Sequence, residues 1–123
     1  MSFKLPFGKY EIYHLAVDLS LDANAITKSW PADEKFGMIS QIRRASTSVG
    51  ANIAEGTSRF SEKEKTRFIE ISYGSLMEVA YFLFMAQRLA YITSEQLYER
   101  KPIIEKLANK INTFYKRLNT NNQ

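Results

Sequence analysis

Glu11 and His14 stand three residues apart, the spacing at which a carboxylate and an imidazole on one helix face can reach a common metal ion. A carboxylate-bridged di-iron centre takes two histidines, and His14 is the only one in the chain. The expectation is therefore no metal and no cofactor, with His14 partly exposed on a first helix. The single histidine also removes nuclease patterns that place Arg and His a few residues apart on a helix. Serines and threonines are numerous, but no His/Asp constellation accompanies them to activate one as a nucleophile. Gly50 and Gly56 are six apart without the Gly-Lys-Ser/Thr ending of a phosphate-cradling loop. These residues predict a protein that is not an enzyme.

Two other patterns could bind rather than react. Gln41, Arg44, Ser48, Asn52 and Glu55 recur at three or four residues and form a wholly polar stripe. Such a stripe either receives a ligand or packs against another helix as a ladder that sets register, and the second reading outweighs the first. Arg44 with Ser48, and Glu55 with Arg59, have the spacing at which side chains meet. Basic residues cluster twice. Arg59, Lys63, Lys65 and Arg67 form one group, diluted by Glu62 and Glu64. Arg100, Lys101, Lys106, Lys110, Lys116 and Arg117 form the other, six cations against the single acid Glu105. In one chain each cluster reads as a solvated face. In an oligomer the charges sum, and the same residues become a salt-sensitive surface for phosphate backbones.

The elements that must carry these residues are helices. Helix one is expected over residues 9–28, with Tyr13, Ala16, Val17, Leu21, Ala25 and Ile26 on one side, ending before Pro31. Helix two is expected over 32–57. Pro31, Asp33 and Glu34 suit its first turn. Phe36, Ile39, Ile42, Ser46, Val49 and Ile53 form its apolar stripe. Gly56 suits a left-handed stop, and Gly50 is explained by close packing of backbones. Ser61 and Glu64 match a capping box that opens helix three, expected over 62–91. Phe68, Ile71, Ser75, Val79, Phe82, Ala86 and Leu89 make one stripe of it. Leu76, Ala80 and Leu83 make a second, and Met77, Tyr81 and Phe84 a third. A helix apolar nearly all round cannot be covered by two neighbours in one subunit, so this pattern predicts a subunit interface. Thr93 or Ser94, with Gln96, should cap helix four, expected over 95–118. That helix uses Leu97, Ile103, Ile104, Leu107, Ile111, Phe114 and Leu118, and Pro102 should kink it or split off its first turn. The tail from Asn119 to Gln123 should fray.

With 123 residues, the chain has the length of one domain with a real core. The absence of cysteine excludes disulfides, iron–sulfur clusters and cysteine zinc sites, and fits a reducing cytoplasm. The first ten residues lack the pattern of a leader peptide. The apolar run from Leu76 to Ala86 contains Glu78 and is too short to span a bilayer, so no membrane is expected as a partner. Net charge is +4 with a pI near 9.3, which permits nucleic acid without requiring it. The expected fold is all-α, an antiparallel up-down-up-down four-helix bundle over residues 1–123, assembling as a homo-oligomer.

Phe36-Gly37, Ser40 to Ala45 and Ser48 to Gly56 resemble the signature of the four-helix-bundle proteins encoded in 23S rRNA intervening sequences. Ser58-Arg59, Phe68, Ser72, Gly74-Ser75, Glu78 and the Leu89-x-Tyr91-Ile92 ending continue the resemblance over most of the chain. Gly50 departs from it, since many relatives carry proline there. The resemblance implies a homopentamer of antiparallel bundles with a central channel, a basic surface and no demonstrated enzyme activity. The wider group is similar to accessory proteins of diversity-generating retroelements, basic pentamers that bind nucleic acid and a reverse transcriptase. The leading expectation is a non-enzymatic RNA-binding oligomer associated with rRNA intervening sequences. The alternative is a protein–protein adaptor that docks a reverse transcriptase. On charge, the nucleic-acid residues are Arg59, Lys63, Lys65, Arg67, Lys106, Lys110, Lys116 and Arg117. Gln41, Arg44, Ser48, Asn52, Glu55, Met77, Tyr81 and Phe84 are the interface or polar-ladder residues.

Overall fold

Four long helices carry the chain: α1 Glu11–Ile26, α2 Met38–Thr57, α3 Glu62–Arg88 and α4 Ser94–Asn121. The structure, a computed structural model, describes residues 6–121; the first five residues considered for a leader and the last two of the tail lie outside them. Short 3-10 turns at Pro6–Lys9, Thr27–Ser29 and Ala32–Glu34 flank α1 and precede α2. Each helix packs on its neighbours in sequence and α4 closes back on α1, the arrangement of an up-down bundle.

Cross-helix contacts fix the antiparallel register. Ser20 Oγ lies 3.3 Å from Thr47 Oγ1, and Arg43 Nε donates to Thr27 Oγ1 at 2.8 Å. Ser72 Oγ donates to the Val49 carbonyl at 2.7 Å, and Ser48 Oγ lies 2.9 Å from Ser75 Oγ. Glu11 meets Lys106 and Lys110 while Asp22, further along α1, meets Arg100. Gln87 Nε2 donates to Ser94 Oγ at the α3–α4 turn. In every pair one number rises as the other falls.

The core is built from rows at helical spacing. α1 buries Ile12, Ala16, Leu19, Ala23 and Ile26. This row is rotated from the expected one: Val17 and Leu21 face outward. α1 is apolar on more than one side, so its period alone did not choose the face. α2 buries Ile39, Ile42, Ser46, Val49 and Ile53, as its stripe predicts. α3 buries Phe68, Ile69, Ser72, Leu76, Val79, Phe82, Leu83 and Ala86, and leaves Ile71 and Leu89 exposed. By length and composition α3 is apolar enough to cross a membrane, but this buried row is spent on the bundle core. Leu107, Ile111 and Leu118 of α4 complete the core.

The helix ends correct several expectations. α2 starts at Met38, not at residue 32, because the chain breaks at Gly37. Asp33 and Glu34 therefore belong to a separate turn, and the Glu34 carboxylate accepts a hydrogen bond from the Tyr91 hydroxyl at 3.0 Å. Phe36, released from the stripe, is 88% exposed. Gly56 is not a left-handed stop: α2 continues through Thr57, and no glycine among the described residues has a positive φ. Gly56 instead lets α3 approach, since a Cβ there would lie 2.9 Å from the Phe68 Cβ and 3.3 Å from the Lys65 carbonyl oxygen. Gly50 faces the Ala16 methyl in the α1–α2 contact, as close packing predicts.

Only half of the Ser61 capping box forms. Ser61 Oγ accepts from the Glu64 amide, while the Glu64 carboxylate turns to Arg67. At α4 both halves form between Thr93 and Gln96, at 3.0 and 2.8 Å. α3 stops three residues early in a Schellman turn: Tyr91 N–H donates to the Ala86 carbonyl and Ala90 N–H to that of Gln87, with Ala90 at φ 63°. Pro102 does not split α4, which runs unbroken to Asn121, past the expected fraying point at Asn119.

Candidate nucleic-acid interface

The register of α3 and α4 brings the two basic clusters together. Ile69 and Tyr73 face Ile111 and Tyr115, so the first turns of α3 lie beside the last turns of α4. Arg59, Lys63, Lys65 and Arg67 thus share one end of the bundle with Lys110, Lys116 and Arg117. Arg100 and Lys101, counted with the second cluster from sequence, lie at the middle and far side of α4.

Most of these cations are already engaged. Arg59 pairs with Glu55 at 3.2 Å, Lys65 with Glu62 at 3.4 Å and Arg67 with Glu64 at 3.1 Å. The guanidiniums of Arg59 and Arg67 also lie over the Phe68 ring, 4.6 and 4.7 Å from its centroid. On α4, Lys106 and Lys110 share the Glu11 carboxylate at 3.4 and 3.0 Å. Arg100 forms a two-pronged pair with Asp22 at 2.8 and 3.0 Å, and Lys101 reaches Glu105 at 3.8 Å. The excess of five charges read along α4 is therefore reduced by two acids of α1, Glu11 and Asp22, which a count along one helix cannot see. Among the described residues, Lys63, Lys116 and Arg117 have no ion pair within 4 Å. Arg117 lines a shallow cleft with Tyr10, Glu11, Lys110, Thr113 and Phe114.

The Glu11-x-x-His14 pair does not converge. Lys110 and then Lys106 hold the Glu11 carboxyl below the ordinary carboxylate range by hydrogen bonding. His14 Nε2 instead lies 2.7 Å from the Gly8 carbonyl oxygen.

The polar stripe of α2 is divided. Asn52 Nδ2 donates to the Ser48 carbonyl and hydroxyl, both at 2.8 Å, and Ser48 contacts Ser75. This half is a ladder between α2 and α3. Gln41, Arg44 and Glu55 stay exposed, and Arg44 reaches back to Ser40 Oγ at 3.5 Å and not to Ser48. Ser40, Gln41, Arg44, Ser48, Ser75 and Glu78 line a polar cleft at this seam.

Beside that cleft runs an apolar ridge on α3: Ile71, Met77, Tyr81 and Phe84 are 41%, 39%, 58% and 61% exposed. Gly74 lies within the ridge, and a Cβ on it would meet nothing within 4 Å. Phe84 continues the ridge into a groove with Leu83, Leu97, Tyr98 and Ile104 between α3 and α4.

One exposed residue was not singled out from sequence. Phe60, in the α2–α3 turn, is fully solvent-exposed. Its signal was present: Gly56, Thr57, Lys63 and Glu64, at three and four residues to either side, offer no apolar partner.

The family model described as "23S rRNA-intervening sequence protein" matches residues 8–113. The chain is similar to a crystal structure of a protein with unknown function from the S23 ribosomal protein family of Bacteroides thetaiotaomicron. The two are 24% identical with a TM-score of 0.78, over 85% of this chain and 95% of that one. At that identity the likeness is one of fold. No curated protein matches the sequence.

Proposed function

The chain belongs to the 23S rRNA-intervening sequence protein family, and on that premise we propose that it is a non-enzymatic, self-associating protein that binds nucleic acid, RNA foremost, in association with rRNA intervening sequences. The observation that carries this reading is the gathering of two sequence-distant basic clusters at one end of the bundle. Lys63, Lys116 and Arg117 are left there without an acidic partner among the described residues. A short stretch of backbone phosphates is the ligand such a surface suits, held by charge with little sequence preference.

Self-association multiplies the patch. The α3 ridge supports it, because a glycine at an exposed mid-helix position lowers helix stability by about 1 kcal/mol and nothing inside the subunit requires Gly74. Close approach of a second copy would. A ring of five, as the family resemblance implies, is the assembly to test for.

The test is retention of labelled RNA by the purified protein across a salt series. Retention at low salt that falls steeply with added salt supports the reading. Charge reversal of Lys63, Lys116 and Arg117 together should reduce the logarithmic salt slope by about 2. No retention at low salt favours a protein–protein adaptor, of the kind that docks a reverse transcriptase, for which the ridge and its groove at Phe84 and Tyr98 are the specific support.

A further inference from the structure

Phe60 is the most exposed large hydrophobic side chain among the described residues. It lies between Thr57, where α2 ends, and Glu62, where α3 begins. No aromatic ring among the described residues pairs with it, and its neighbours along the chain are polar: Ser58, Arg59 (held by Glu55), Ser61, Glu62 and the unpaired Lys63. A protein contact would ordinarily surround such an anchor with further apolar side chains. The residues beside it in the turn supply none, and the ridge on α3 that does have them ends about three turns away at Ile71.

The ring also stands at the end of the bundle where Lys63, Lys116 and Arg117 are unpaired. An aromatic face open to solvent beside unneutralised cations is how proteins hold single strands: bases stack on the ring while the phosphates lie along the charges. The interior of a duplex cannot use the ring, because its bases are already stacked on both faces; only its terminal pairs have a face to offer. We propose that Phe60 is a stacking platform for an unpaired base of single-stranded RNA, with Lys63 on a nearby phosphate and Lys116 and Arg117, at the same end of the bundle, on phosphates further along the strand. This rests on the nucleic-acid reading above and narrows it to unpaired strands.

The experiment is fluorescence anisotropy of labelled oligouridylate and of a labelled blunt RNA duplex, with the wild-type chain, Phe60→Ala and Phe60→Trp, each at two salt concentrations. Urea unfolding first checks that the variants, altered at an exposed position, keep their stability. The expected result is a roughly 5- to 150-fold weaker grip of Phe60→Ala on oligouridylate, the value of one stacked base. Its salt slope and duplex affinity should be unchanged, since the ring carries no charge. Phe60→Trp should bind as well as wild type, with its emission quenched on binding against the background of buried Trp30. Equal oligouridylate affinity in wild type and Phe60→Ala would overturn the platform while leaving the nucleic-acid reading standing. Equal losses on single strand and duplex would also overturn it, by showing a structural role. A wild-type chain that binds neither RNA ends both.

Discussion

A Cβ on Gly56 would stand 2.9 Å from the Cβ of Phe68, so α2 and α3 touch where one of them has no side chain. Of the three atoms in the way, the Ile69 Cδ1 can move, but the Phe68 Cβ and the Lys65 carbonyl oxygen cannot swing aside. Gly56→Ala should therefore force the helices apart and lower stability by about 1 kcal/mol or more, the overpacking penalty exceeding the gain in helix propensity. A urea midpoint equal to or above wild type would refute this contact as the reason for the glycine.

The same substitution at Gly74 should have the opposite sign. That position is open, so Gly74→Ala should stabilise the folded subunit by about 1 kcal/mol through helix propensity alone. Gly74→Leu, projecting from the ridge, should reduce the assembled mass in light scattering if a second copy packs there. An unchanged mass for the leucine variant would remove Gly74 from the interface.

Phe84→Asp tests the ridge as a whole. The side chain is 61% exposed, so the subunit should keep its fold. Self-association should weaken by about tenfold or more, since burying a phenylalanine contributes about 1.5–3 kcal/mol. Sedimentation at micromolar concentration gives the answer, and a mass equal to wild type would discredit α3 as the contact.

Ala90 carries the left-handed residue of the Schellman turn at φ 63°, a position where glycine is at home. Ala90→Gly should raise stability by about 0.5–1 kcal/mol, reported by the urea midpoint. Lowered stability would mean that the alanine methyl has a packing role at the α3–α4 turn.

Lys110 and Lys106 depress the Glu11 carboxyl by hydrogen bonding, with charge attraction adding to it. A depressed folded value means that the pair's contribution is fully present above the unfolded carboxylate range. It is lost as pH falls through the lowered folded value. Glu11→Gln should flatten the acid limb of the stability profile and leave the neutral region little changed, because the pair is exposed. An identical acid limb in the two proteins would exclude Glu11 from the linkage.

The helix count, the breaks near residues 30, 58 and 92 and the Thr93–Gln96 box were legible because they are local, set by period and by residues three apart. The start of α2 was not: it depends on Gly37 and on Glu34 engaging Tyr91, 57 positions away. The core face of α1 was misplaced because Val17 and Leu21 carry the same apolar label as the residues that are buried. The basic clusters were found, but their effective charge was not, since Asp22 and Arg100 are 78 positions apart. Phe60 was missed because a lone aromatic in a turn has no period.

The seam between α1 and α4 has a different character from the others. α2 and α3 meet through glycine, serine and aliphatic side chains, whereas the first and last helices also meet through Asp22–Arg100 and the Glu11 cluster. Screening by dissolved ions weakens the exposed members of that set and leaves buried apolar contacts intact. Concentrated electrolyte should therefore loosen the α1–α4 seam before the α2–α3 seam, by the small amount that exposed ion pairs contribute.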